Sequence, residues 1–295
     1  MKPRDAAALL ALGALWGGSF LFIRVAVSSL GPLLLMELRV GIASLALVLF
    51  AAAVGRRPKL RARWRQFLLI GTLNAAIPFT LIAAAEIHLT ASLAAILNST
   101  TVMFAAVAAA VWSRDPLTAR KVVGIVLGVI GVAVLVGWDP VELDGAVLLS
   151  VGAMLAASLS YGISAVYVKR TFVGVPPLGM AIGQLMGATV VLFPFAALSV
   201  PGESPPVAAT ASVLALALLS TALAYLFYFR LITNVGPTST VTVTLLVPVF
   251  GLLFGVLFLD EPFGPGTLAG LGIVLGSVVL VTGVGFGNRD GGDLP

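Results

Sequence analysis

Side chains that could carry out a chemical reaction are scarce in this sequence. It contains one histidine, His88, and no cysteine. It has no HExxH zinc motif, no Gly-x-Ser-x-Gly nucleophile motif and no glycine loop of the kind that cradles phosphate. Metal, thiol and serine catalysis therefore find no support. We expect a protein that is not an enzyme and that has no cofactor and no metal site.

The ionisable groups that stand out lie inside apolar stretches: Arg24, Glu37 and Arg39. A charge in hydrocarbon is costly unless it is paired or hydrated, so such groups commonly mark a path for ions or solutes. We interpret the three as a gating cluster near the outer face, with Glu37 as a proton carrier. The alternative is a static ion pair with arginines that reach the interface. Glu37 and Arg39 point about 200° apart on a helix, so Arg24 is the better partner for Glu37.

The composition explains why charges are so few. Of the 295 residues, 60% are hydrophobic and 10% are charged, and the mean hydropathy is +1.13. Soluble domains are about 25% charged, so a water-soluble fold is excluded. A secreted disulfide scaffold is excluded because the sequence has no cysteine. The net charge of +5 could suggest nucleic acid, but the basic residues lie between apolar segments and form no single polar face. We therefore expect no nucleic-acid partner.

Ten apolar segments follow one another between residues 6 and 286. Each has about 18–25 residues, enough to cross roughly 30 Å of hydrocarbon. The sequence therefore predicts an all-α polytopic membrane protein with ten transmembrane helices. Lys and Arg cluster in alternate joints, such as the one from Arg56 to Arg65, and basic joints stay in the cytoplasm. This predicts a multi-pass protein of the bacterial inner (plasma) membrane with both termini cytoplasmic.

The two halves of the chain resemble each other. Trp16-Gly17-Gly18-Ser19 aligns with Tyr161-Gly162-Ile163-Ser164 at an offset of 145 residues, and Asp115-Pro116 aligns with Glu261-Pro262 at 146. Because each half has an odd number of spans, the second would enter the membrane from the opposite side. We predict an inverted pair of five-helix repeats, residues 1–139 (helices 1–5) and 140–287 (helices 6–10), followed by a short cytoplasmic tail at 288–295.

Taken together, these features resemble the drug/metabolite transporter superfamily, and its ten-helix EamA type most closely. The resemblance rests on Trp16 to Phe20, Arg39, the two acid-Pro pairs, the stretch from Thr238 to Pro248 and the Gly-rich last helix of each half. It implies a central path lined mainly by helices one to four of each half and open alternately to either side. It also implies small-metabolite substrates, amino acids among them, that are often moved outward. One departure is helix four, which lacks the proline common in the family.

The predicted substrate site combines aromatic and neutral polar side chains within the apolar segments. For any single polar residue the commoner role is a hydrogen bond between packed helices, and for the aromatic residues the alternative is an interfacial belt. Positions repeated in both halves are favoured. The predicted substrate-binding residues are Trp16, Ser19, Phe79, Asn98, Thr101, Tyr161, Ser164, Gln184, Tyr225, Tyr228 and Thr244. Pro78 and Pro248, inside spans, are predicted to kink helices at gating positions.

We therefore expect a secondary transporter that exports small amphipathic metabolites, such as amino acids with aromatic or other apolar side chains, by alternating access. The predicted pocket has no central fixed charge, which favours a zwitterionic or neutral solute. Its partners would be a small-molecule substrate and membrane lipid, with coupling to a proton or to an exchanged solute left open and a monomer sufficient. The alternatives are a polytopic membrane enzyme and a non-transporting receptor or scaffold.

Overall fold

The computed structural model describes residues 2–56, 58–138 and 144–284, apart from the side chains of Pro237 and Thr238. Every regular element in these ranges is helical. Nine of the helices in them are long and apolar enough to cross a membrane. The prediction of an all-α polytopic membrane protein is therefore confirmed. The predicted boundary between residues 139 and 140 and the tail at 288–295 lie outside the described residues.

The first apolar element, Pro3–Ala53, is two helices joined at Gly31. Its 51 residues would extend roughly 75 Å as one helix, more than twice the thickness of the hydrocarbon layer. Gly31 has φ 69° and ψ 161°, a conformation open to glycine because it has no Cβ atom, and Pro32 follows it. Division at Gly31 agrees with the ten segments expected from the sequence, while the number of crossings stays a prediction.

The helices are numbered in chain order with this division applied. They are α1 (3–30), α2 (32–53), α3 (Arg61–Ala85), α4 (Ala91–Ser113), α5 (Ala119–Gly137), α6 (Gly145–Thr171), α7 (Pro177–Ala197), α8 (Val207–Gly236), α9 (Ser239–Leu259) and α10 (Pro265–Thr282).

The backbone departs from α-helical geometry at equivalent places in the two halves. π-Helical turns occur at Thr72–Ala76 in α3 and at Leu218–Leu223 in α8, and they begin 146 positions apart. Helices α4 and α9 each end on a left-handed residue, Arg114 at φ 55° and Asp260 at φ 51°, again 146 positions apart. Because these departures recur at the offset found in the sequence, they support the predicted duplication.

Glycine lets two pairs of helices touch backbone to backbone. A Cβ atom at Gly17 of α1 would lie 2.9 Å from the backbone nitrogen of Gly251 in α9. A Cβ atom at Gly162 of α6 would lie 2.7 Å from the backbone nitrogen of Ala105 in α4. In both pairs a helix of one half packs against a helix of the other. The glycines after Trp16 and Tyr161 therefore hold the two halves together.

Helices α5 and α10 pack on each other away from these contacts. The Ser277 hydroxyl donates to the carbonyl oxygen of Gly124 at 2.6 Å. A Cβ atom at Gly270 would lie 2.8 Å from Cβ of Leu135. Small residues at such seams allow close helix contact in membranes. The seam therefore joins one helix of each half, apart from the contacts at Gly17 and Gly162.

Candidate functional site

Arg39 of α2 lies at the centre of the bundle with its guanidinium held by two other helices. Its side chain is 6% exposed. Nε donates a hydrogen bond to the Thr221 hydroxyl of α8 at 3.0 Å, and Cζ lies 3.8 Å from the centroid of the Phe79 ring of α3. The Thr221 hydroxyl lies in the π turn and donates to the carbonyl oxygen of Leu216, just before that turn, at 2.8 Å. The π turn thus provides the acceptor that fixes Arg39.

Gln184 of α7 is the centre of a second polar network. Its side-chain carbonyl oxygen accepts a hydrogen bond from the Asn74 amide at 3.0 Å, and its own amide donates to the Tyr225 hydroxyl. The Ser164 hydroxyl donates to the Asn74 carbonyl oxygen at 2.7 Å. Asn74 lies in the π turn of α3. A chain of hydrogen bonds therefore links α6, α3, α7 and α8.

These two networks occupy equivalent positions. Arg39 and Gln184 are 145 residues apart, and Phe79 and Tyr225 are 146 apart. Each of the first pair contacts the aromatic residue of its own half, Phe79 or Tyr225. Each also bonds to a π-turn residue of the other half, Thr221 for Arg39 and Asn74 for Gln184. The two halves therefore meet through two equivalent contacts, one made by the charged Arg39 and the other by the neutral Gln184.

Aromatic rings surround the two networks. The rings of Trp16 and Tyr228 lie 5.6 Å apart between centroids, and those of Phe79 and Tyr161 lie 6.4 Å apart. Tyr225 stacks on Phe229 at 5.7 Å. Trp16, Tyr161, Tyr225 and Tyr228 are half-buried and Phe79 is buried. We call the residues of the two networks and these rings the central cluster. Its members are Trp16, Arg39, Asn74, Phe79, Tyr161, Ser164, Gln184, Thr221, Tyr225, Tyr228 and Phe229.

Four other predicted polar residues divide into two groups. The hydroxyls of Ser19 and Thr244 donate to carbonyl oxygens of their own helices, those of Trp16 and Val241, at 2.6 and 2.8 Å. The Asn98 side-chain carbonyl and the Thr101 hydroxyl are buried and have no hydrogen-bond partner among the described residues. The first two are therefore satisfied locally, whereas the amide and hydroxyl in α4 keep unused bonding capacity.

Pro78 and Pro248 are both buried inside helices, α3 and α9. Proline has no N–H to donate to the carbonyl four residues earlier. For Pro78 that carbonyl belongs to Asn74, within the π turn of the central cluster. Pro78 therefore stands where α3 changes its hydrogen-bonding pattern next to the site.

The structure gives Arg24 other acceptors than the expected Glu37. Its guanidinium donates to the backbone carbonyl oxygens of Glu86 and Ile87, the second at 3.1 Å. The Oε2 atom of Glu37 is buried without a hydrogen-bond partner among the described residues. The expected Arg24–Glu37 pair is wrong because the end of α3 captures the arginine. Arg39, expected at an outer gate, instead lies in the central cluster.

Two acids that follow membrane-spanning helices, Glu86 after α3 and Glu261 after α9, are buried. The Glu261 carboxylate accepts hydrogen bonds from the backbone N–H groups of Ala91 and Ser92, at 2.6 and 2.9 Å, and so caps the start of α4. Glu86 is 0% exposed, and neither carboxylate oxygen has a hydrogen-bond partner among the described residues. Asn74 and Thr221 are polar residues in apolar stretches that the predicted substrate-binding set does not include.

The two ends of the bundle differ. At the Glu261 end, where α9 finishes and α4 begins, a Cβ atom at Gly255 would lie 2.3 Å from the Ser92 hydroxyl oxygen, so these helices are in close contact. At the opposite end, where α1 and α9 begin, there is a cavity of about 980 Å³. We call this the Lys2 end. The cavity is lined by Lys2, Arg4, Asp5, Arg230, Thr233, Asn234, Val235 and Ser239.

Comparison with known proteins identifies the family. The model of the EamA-like transporter family matches residues 5–137 and again residues 148–283. An uncharacterized transporter of Archaeoglobus fulgidus is 26% identical over 90% of this chain and 94% of its own. The uncharacterized inner membrane transporter YedA of Escherichia coli is 29% identical over 93% of this chain and 89% of its own.

Two further likenesses concern a named exporter and a solved fold. A protein of Streptantibioticus cattleyicolor named "probable terminal-alkyne amino-acid exporter" is 27% identical over 93% of this chain and 92% of its own. A crystal structure matches with a TM-score of 0.67, covering 96% of this chain and 97% of that chain at 18% identity, which shows the fold alone. With its family matched over both halves, this chain belongs to the EamA-like transporter family and is a multi-pass membrane transporter.

Proposed function

We propose that this protein exports small amphipathic metabolites, such as amino acids, across the bacterial inner membrane by alternating access. The observation that carries the proposal is the central cluster, in which both halves contribute aromatic rings and polar side chains to one place. Sites of secondary transporters are commonly built at the interface of repeated halves. A membrane enzyme would need reactive groups there, and a passive scaffold would not need polar groups at this depth.

The proposed alternation rests on two inverted halves, residues 1–139 and 140–287. Two separate matches to one family model and the recurrence of the π turns at one offset support this division. The positive-inside pattern assigns the Lys2 end, and with it both termini, to the cytoplasm. The cavity at that end and the close α4–α9 contact at the Glu261 end are then the features of a state open to the cytoplasm.

The proposed outward-open state exchanges equivalent contacts between the two ends. Glu261 caps α4 at the closed end, and its equivalent Asp115 lies 3.6 Å from Lys169 in an exposed ion pair. In the other state Asp115 would cap the start of α9, and Glu261 would release α4. An acidic residue at a helix N-terminus is favourable because unpaired N–H groups and the helix dipole face it.

Aromatic and apolar amino acids suit the central cluster best. The rings of Tyr161, Tyr225 and Phe229 offer apolar surface, and the amides of Asn74 and Gln184 offer hydrogen bonds. The Streptantibioticus relative carries an amino-acid exporter name. Proton coupling and solute exchange are separate arms of the test below.

Reconstitution in liposomes tests the proposal. Uptake of labelled L-phenylalanine, adenine and glucose is measured with and without a pH gradient and with unlabelled solute inside. We expect saturable flux of phenylalanine and at least a tenfold loss in Tyr225→Ala. Phe193→Ala is the matched control, since this ring is 62% exposed on α7. Equal losses in both variants, or no flux of any of the three solutes, would contradict the proposal.

A further inference from the structure

We propose that Arg39 is the anchor for a carboxylate of the transported solute, so that a negatively charged group is required for recognition. This deepens the function proposed above and rests on it. Sequence reasoning had favoured a pocket without a central fixed charge. The structure replaces that expectation, because it brings a guanidinium from the predicted outer gate into the central cluster.

Most of the hydrogen-bonding capacity of Arg39 is unused. A guanidinium has five N–H donors, and among the described residues the hydrogen-bond acceptor of Arg39 is the Thr221 hydroxyl, which accepts from Nε. No carboxylate of the described residues lies within ion-pair distance of it. Neither terminal nitrogen is among the buried atoms that lack a partner. Each terminal NH₂ group therefore keeps some accessible surface, and a guanidinium with both groups free can hold a carboxylate by two parallel hydrogen bonds.

The charge of Arg39 is also uncompensated. Arginine stays protonated in proteins, and an isolated ion away from water is unfavourable. Glu86 acts on Arg39 only beyond ion-pair distance, and its own burial without hydrogen bonds favours the neutral acid. The face of the Phe79 ring supplies a cation–π contact, which offsets part of the cost. A carboxylate from the solute would supply the missing counter-charge.

The cavity at the Lys2 end carries positive charge, as Arg39 does. Lys2, Arg4 and Arg230 line the cavity there, and the one acid of the lining, Asp5, accepts a hydrogen bond from Asn234 at 3.2 Å. On α8 the residue Thr233 of this lining follows Phe229 and Tyr225 at intervals of four, so all three share one helix face. A basic mouth attracts anions and raises their local concentration.

The equivalence of the halves limits the site to one anionic group. Gln184 occupies in the second half the place that Arg39 has in the first. Its amide and carbonyl are both used, toward Tyr225 and Asn74. It is neutral and satisfied, so it offers no second charge. The solute that fits has a single carboxylate beside Arg39 and an apolar or aromatic part between Tyr161 and Tyr225.

A set of four probes separates the carboxylate from the rest of the solute. They are L-phenylalanine, which carries both a carboxylate and an amine, 3-phenylpropionate, which carries the carboxylate alone, and L-phenylalaninamide and 2-phenylethylamine, which carry the amine without a carboxylate. Binding to the purified protein is measured by the shift in thermal unfolding. We expect the two carboxylates to stabilise the wild type and the two amines without carboxylate to bind at least about tenfold more weakly, the loss typical of one charge-assisted contact.

Variants at position 39 decide the assignment. Arg39→Gln should lose the preference for carboxylates, whereas Arg39→Lys, which keeps the charge but has no pair of parallel donors, should keep a weaker preference. The exposed Arg65→Gln is the control for net charge. Equal binding of phenylpropionate by the wild type and Arg39→Gln would overturn the proposal, as would competition by phosphatidylglycerol, which would assign the guanidinium to lipid. If Arg39→Gln does not fold, an undiminished preference in Arg39→Lys would count against it.

The two proposals fail in different ways. If phenylalanine is transported but phenylalaninamide is transported equally well, export stands and the carboxylate anchor falls. If phenylpropionate binds through Arg39 but none of the labelled solutes moves across the liposome, the anion site stands and amino-acid export falls.

Discussion

Ser92 is bound to Glu261 twice, through its backbone N–H at 2.9 Å and through its hydroxyl at 2.6 Å. The two residues belong to different halves of the chain, since Ser92 is in the first turn of α4 and Glu261 follows α9. The acid thus closes one end of the bundle by capping a helix that belongs to the other half.

Removing the cap should loosen the Glu261 end. Loss of a helix cap costs about 1–2 kcal/mol, so Glu261→Ala should raise the open population at this end by roughly 5–30-fold. Because the chain contains no cysteine, a single Ala95→Cys beneath this contact reports accessibility without background labelling. We expect faster maleimide labelling in Glu261→Ala than in Asp115→Ala, the equivalent change at the other end. Equal rates would contradict the prediction.

Closure of this end should depend on pH through Glu86. Burial raises the pKa of Glu86 well above its ordinary value, the nearby Glu261 carboxylate raises it further, and the charges of Arg24 and Arg39 lower it. The closed end therefore binds a proton that an open, hydrated end would release. Closure is favoured at low pH and is lost as the pH rises from the ordinary carboxyl range through the raised pKa.

Labelling of the same cysteine measures this dependence. The labelling rate of Ala95→Cys should increase with pH more steeply with Glu86 present than with Glu86→Gln, whose neutral amide does not titrate. The comparison removes the pH dependence of the thiol itself. Parallel curves for the two proteins would show that Glu86 has no part in closure.

Gly17 should tolerate no side chain. A Cβ atom there would lie 2.6 Å from Cβ of Phe250 and 2.8 Å from the carbonyl oxygen of Val247, so backbone as well as side chain would have to move. Overpacking of this kind costs typically about 1–3 kcal/mol. We expect Gly17→Ala to lower the unfolding temperature in detergent. Gly152→Ala, with nothing within 4 Å, should be neutral or stabilising because alanine favours helix.

The hydroxyl group of Thr221 should contribute more to positioning Arg39 than the branched shape of its side chain does. Thr221→Val keeps the branched side chain but removes the acceptor of the Arg39 Nε–H and leaves that donor buried. An unsatisfied buried donor costs about 1–3 kcal/mol. We expect lower stability and weaker phenylpropionate binding in Thr221→Val, and near wild-type behaviour in Thr221→Ser. A valine variant that binds as well as the serine variant would show that Arg39 is positioned by other contacts.

The sequence by itself determined the class of fold and predicted that its two halves are similar. Membrane-spanning helices can be predicted from apolar runs of sufficient length, because such a run is buried in lipid or protein whichever helices pack beside it. The 145–146 offset that pairs Trp16 with Tyr161 also pairs the two π turns in the structure. Local backbone geometry depends on nearby residues, so it repeats wherever the residues repeat.

Only the tertiary structure decided which side chains meet. Spacing along α2 placed Arg39 at a gate and made Arg24 the partner of Glu37. The π turn of α8 instead brings Thr221 to Arg39, and the end of α3 brings the carbonyl of Glu86 to Arg24. Periodicity gives the face of a helix that a residue occupies, but the partner on that face depends on how helices from the two halves cross. The central charge came into view only when those crossings were known.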